Sequence, residues 1–117
     1  MSDLARIKER YLRDDLPVRL GNLAANLARV SAFLTNPANH RAVDSLLTES
    51  KFFIEWSAAE TEIEIAAELI EMQVQIARWQ IRLTSILSDP AQQVEVAEQA
   101  RQWSNRVLHV SGLTQAA

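Results

Sequence analysis

Residues 57–88 read SAAETEIEIAAELIEMQVQIARWQIRLTSILS and contain neither Gly nor Pro. Within them Ile65, Leu69, Met72, Ile76, Trp79, Leu83 and Ile86 step by four and three, the spacing that keeps one apolar stripe against a neighbouring helix. A second stripe at the same spacing runs through Ile63, Ala67, Ile70, Val74, Ala77 and Ile81. At about 100° per residue the two lie roughly 160° apart, so a helix here needs cover on opposite sides. The pattern predicts a long central helix over about 58–88, packed on two sides. At ~1.5 Å per residue it spans ~45 Å, more than a compact chain of this size requires.

The rest of the chain reads as helix too. Its 117 residues suit one domain spanning 1–117, and an apolar fraction of 48% disfavours disorder. Two glycines, three prolines and no alternating runs with turn dipeptides give little support to hairpins. The expected fold is all-α, a bundle of four principal helices plus a short N-terminal one, with helices over about 3–14, 16–35, 39–56, 58–88 and 91–110.

Punctuation sets those limits. Asp3 is placed to cap a first helix with Leu4, Ile7 and Tyr11 on one side and Arg6, Arg10 and Arg13 on the other, the latter read as a solvated face. Asp15 and Pro17 favour a restart, after which Leu16, Leu20, Leu23, Leu27, Val30 and Leu34 form a third stripe. Gly21 within it, beside Ala24, Ala25 and Ala28, suggests close approach of another helix. Asn36-Pro37, or Asn39, opens the next helix, which carries Val43, Leu46, Leu47, Phe53, Ile54 and Trp56. Ser57-Ala-Ala-Glu60 and Thr61–Glu64 match the capping box. Gln73 and Gln80 fall between the two apolar stripes of the central helix. Asp89-Pro90 is the clearest boundary. The last helix aligns Val96, Ala100, Trp103, Val107 and Val110, Gly112 ends it, and residues 113–117 are expected to fray.

Charge narrows the function classes. A net charge of −3 argues against general nucleic-acid binding, which needs a basic surface to neutralise phosphates. The front of the chain is basic, whereas residues 44–71 set Asp44, Glu49, Glu55, Glu60, Glu62, Glu64, Glu68 and Glu71 against Lys51 alone. The two regions can face each other within one chain or between two. The absence of cysteine removes thiol chemistry, the charged N-terminus lacks a secretory pattern, and no apolar run is long enough to insert in a membrane. The expected location is cytoplasmic.

Few residues suggest chemistry. His40 and His109 lie in no triad-like pattern, and no glycine-rich phosphate loop is present. Glu68-x-x-Glu71 and Glu95-x-x-Glu98 each place two carboxylates on one helix face, and carboxylates converging from two helices can hold Mg²⁺ with retained waters. This spacing resembles the E-x-x-E and E-x-x-D motifs of the all-α nucleotide pyrophosphatases of the MazG and dimeric dUTPase type. The resemblance covers four residues and implies Mg²⁺-dependent hydrolysis of nucleoside triphosphates. Glu98 replaces the family's final Asp, and no lysine-bearing segment matches. Trp56, Trp79 and Trp103 fall on three different helices and suit core or interface anchors, or a small-molecule pocket.

The leading expectation is a non-enzymatic protein–protein interaction module, an adaptor, assembly factor or regulatory protein, without a cofactor and acting as a helical homodimer. The first stripe, Ile65, Leu69, Met72, Ile76, Trp79, Leu83 and Ile86, is the expected interface, and a further protein partner is compatible with it. The alternatives are the Mg²⁺-dependent hydrolase using Glu68, Glu71, Glu95 and Glu98, and a bundle binding a small molecule.

Overall fold

The computed structural model describes residues 3–113, and every regular element in them is helical. Six α-helices follow one another: α1 (Asp3–Leu12), α2 (Leu16–Phe33), α3 (His40–Ser57), α4 (Ile63–Ile81), α5 (Leu83–Leu87) and α6 (Pro90–Ser111). Single 3₁₀ turns at Pro37–Asn39 and Ala58–Glu60 precede and follow α3. They pack into a slab of 38 × 37 × 24 Å.

The core begins with α2. Its stripe buries Leu20, Leu23, Leu27, Val30 and Leu34 against α3 and α6, with Leu16 half-buried at the start. On α6, Val96, Ala100 and Val107 meet it, and Val43, Leu47 and Ile54 of α3 close the third side. Small residues set how closely α2 and α6 approach. Ala24 and Ala100 are buried there, and Ser104 Oγ donates to Ala24 O at 2.7 Å, which satisfies the buried hydroxyl. Gly21 plays a different part from the one its neighbours suggest. A Cβ built on it would lie 2.6 Å from Leu113 Cδ1, so it makes room for the turn after α6 rather than for a crossing helix. The fraying expected of 114–117 lies outside the described residues.

Helix ends follow the punctuation where the punctuation is chemical. Asp89 Oδ1 accepts from Ala91 N at 3.0 Å, Pro90 opens α6, and Gly112 takes the left-handed conformation at φ 82° that ends it. Asn36 Oδ1 likewise caps the turn before α3 through Ala38 N. Asp15 precedes α2 in extended backbone but makes no side-chain cap.

The long central helix is corrected by the structure. After the 3₁₀ turn, Thr61 and Glu62 adopt extended backbone, ψ 166° and 153°, and α4 begins only at Ile63. Neither capping box is used. Ser57 Oγ is engaged with the Tyr11 hydroxyl at 2.8 Å, Glu60 is held by Arg19, and Thr61 Oγ1 donates backwards to Ala58 O at 2.7 Å. At the other end Arg82 leaves helical geometry, φ −104° and ψ 12°, and α5 starts afresh at Leu83. The sequence has no breaker there. The bend buries Leu83, Ile86 and Leu87 together while Ile81 stays outside, so tertiary burial overrides local propensity.

Candidate functional site

Two stripes were available on α4, and a single chain covers one of them. Leu69, Met72, Ile76 and Trp79, continued by Leu83 and Ile86 on α5, are buried against the chain's own helices, and Ile65 is half-buried beside them. Assigning these seven residues to a homodimer interface is therefore corrected: they form the core of one chain. Of the two sides expected to be packed, the chain itself covers this one. The second stripe stands in solvent, with Ile63 80% and Ile81 85% exposed at the two ends and Ile70 and Val74 each 45% exposed between them. Ala67 is exposed and Ala77 half-buried on the same line.

Neighbouring helices hold α4 with this face outward. Along one flank Gln73 Nε2 donates to Lys51 O at 2.9 Å, and Gln80 Nε2 donates to Thr48 Oγ1 at 2.8 Å and Asp44 Oδ1 at 3.0 Å. The two glutamines seven residues apart thus stitch α4 to α3. Along the other flank Arg106 of α6 donates through Nε and Nη2 to both carboxylate oxygens of Glu68, at 2.9 and 2.7 Å. That pair holds the Glu68 carboxyl below its ordinary range, chiefly through the hydrogen bonds from Arg106. Around the exposed stripe, Glu64 and Glu71 lie towards its first half and Arg78 towards its second, all exposed.

Beside the stripe, residues of α4 and α6 line a groove of about 900 Å³. Its walls carry all four glutamates singled out by spacing, Glu68, Glu71, Glu95 and Glu98, together with Arg82 and Arg106. They share a groove without forming a cation cage. Glu68 is occupied by Arg106, Glu98 is paired with Arg101, which holds its carboxyl low with help from Gln102, and no set of three acidic or histidine side chains among the described residues converges on one point. The tryptophans divide. Trp79 and Trp103 stack at 4.7 Å between centroids and line this groove, whereas Trp56 joins Phe52, Phe53 and Tyr11 elsewhere.

Charge also pairs the basic front with the acidic middle inside one chain. Arg19 Nη1 and Nη2 donate to Glu60 at 2.7 and 2.8 Å, and Arg19 Nε donates to Asp14 O at 3.0 Å. The sequence pattern gave no hint of Arg19, because it sits one position before Leu20 in an apolar helix. The only available signal was its place in the basic front. No helix among the described residues is long and apolar enough to cross a membrane. No protein family, no curated protein and no solved structure matches this chain.

Proposed function

We propose that the chain is a non-enzymatic protein–protein interaction module of the adaptor, assembly or regulatory kind, that it works as a helical homodimer, and that the outer face of α4 is its contact surface. The supporting observation is the exposed stripe of Ile63, Ala67, Ile70, Val74 and Ile81 on a helix whose opposite face is already buried. Monomeric proteins rarely leave contiguous apolar surface beyond a few hundred Å² uncovered. The stripe runs from the first residue of α4 to its last, so helix and stripe have the same length.

Solution mass across a range of concentrations tests the reading. A wild type whose mass rises towards two chains, and an Ile70→Glu variant that stays a folded single chain, are the expected results, with self-association weakened at least about tenfold by the buried charge. Ile76→Glu is the contrast, because Ile76 is fully buried and a charge there removes folding rather than pairing. A wild type of single-chain mass at every concentration overturns the homodimer.

The groove supports a second reading, ligand binding between α4 and α6, because four glutamates and the stacked Trp79–Trp103 pair line one concavity. Tryptophan fluorescence during titration with Mg²⁺ and a nucleoside triphosphate, alongside a pyrophosphate-release measurement, separates it from the first. An unchanged spectrum with no release removes the hydrolase.

A further inference from the structure

We infer that α4 pairs with α4 of a second copy in an antiparallel arrangement, with the twofold axis crossing the helix at the level of Met72. This rests on the homodimer proposed above and specifies its geometry. The stripe is nearly palindromic about that point. Reversing one helix places Ile63 opposite the partner's Ile81, Ala67 opposite the partner's Ala77, and Ile70 opposite the partner's Val74. Large side chains meet large ones at the ends, alanines meet alanines, and two branched residues meet beside the axis. A closed pair of this kind uses one patch on both copies, as a C₂ interface must.

Charge complementarity selects the direction. The first half of α4 and its cap carry Glu62, Glu64, Glu68 and Glu71, whereas Arg78 and Arg82 lie at its end. Parallel pairing lays the acidic halves side by side. Antiparallel pairing lays each acidic half against a basic end and brings Glu64 beside the partner's Arg78, twice by symmetry. The positions that would face Glu71 and Arg78 across a parallel pair are Ala66 and Gln73, which offer no opposite charge, and Gln73 is already bonded to α3. Antiparallel helix dipoles add to the preference. One juxtaposition opposes it: Glu71 lies near the partner's Glu71 at the axis, where both are exposed and their repulsion is screened. A single pair of helices about five turns long covers less than a standard interface, so the dimer is weak and its mass varies with concentration.

The chain contains no cysteine, which makes cross-linking a clean test. Ile63→Cys and Ile81→Cys are made separately, at positions exposed enough that neither change disturbs the core. Each is oxidised alone, and the two are oxidised as a mixture. In the inferred geometry the two positions sit face to face across the pair, while each lies about 27 Å from its own copy. A disulfide-linked dimer in the mixture, absent from either variant alone, is the expected result. Self-linking of each variant alone overturns the antiparallel direction and leaves the α4 dimer standing. No linkage in any sample from a wild type that is dimeric by mass overturns this seating of the helices. No linkage from a wild type that is a single chain at every concentration overturns the homodimer itself. As a second arm, Arg78→Glu and Glu64→Arg should each weaken pairing about tenfold, and the double exchange should restore it. Failure of the double exchange to restore pairing overturns the Glu64–Arg78 contact.

Discussion

Tyr11 ties the N-terminal helix to the body of the molecule. Its hydroxyl donates to Arg19 O at 3.0 Å and lies 2.8 Å from Ser57 Oγ, while its ring stacks on Phe53 at 4.0 Å between centroids. Burial raises the Tyr11 pKa from 10.0 to about 12, against the lowering effect of the Ser57 hydrogen bond. The folded value lies above the unfolded one, so between those limits the native state keeps a proton that the unfolded chain releases. The stability this contributes is whole below about pH 10 and falls as pH rises towards 12. Tyr11→Phe should cost about 1–2 kcal/mol at neutral pH, since it strands a buried Ser57 hydroxyl, and should lower Tm by roughly 5–10 °C. Urea unfolding at pH 8 and pH 11 should show a smaller alkaline loss in the variant than in the wild type. Little of this knot was legible in the sequence. Tyr11 read as one apolar position among three, and Ser57 read as a helix cap. Its real partner lies 46 residues away in the chain, a pairing no local pattern encodes.

At the scale of the helix, the legible boundaries are those made by a side chain acting on its own neighbourhood. Asp89, Pro90 and Gly112 each act within a residue or two, and the structure uses all three as their chemistry directs. The breaks at Thr61–Glu62 and at Arg82 were not legible, because packing of remote segments decides them. The two aspartates that precede helices separate the cases experimentally. Asp89 makes a side-chain cap and its carboxyl is held low by Gln92 and the backbone of Ala91, whereas Asp15 makes none. Asp89→Ala should therefore destabilise by about 1 kcal/mol and Asp15→Ala by a few tenths, measured as the shift in denaturation midpoint. With its folded pKa below the ordinary carboxylate value, the Asp89 contribution should be present at neutral pH and disappear on acidification through that range.

For the whole molecule, twin stripes at heptad spacing declared that α4 has two apolar faces, and periodicity could say no more. Which face turns inward depends on where α3 and α6 lie, which the spacing of the stripes does not encode. The dependence of the fold on its last helix is as strong. α2 and α6 share the most extensive packing in the molecule, fastened at both ends by Ser31 Oγ on Ala97 O and Ser104 Oγ on Ala24 O, each at 2.7 Å. A chain stopped after residue 88 should lose cooperative thermal unfolding while keeping some helical circular dichroism, because α2 then loses its most extensive packing partner and keeps only part of the cover over Leu23, Leu27 and Val30.

That closure also sets a timetable for the newborn polypeptide. Ala24 and Ser104 stand 80 residues apart, so at ordinary rates of translation the second leaves the synthetic centre roughly 4–16 s after the first. For all of that interval α2 has α3 to dock on but not α6, so its leucines stay only partly covered until the last helix has been made.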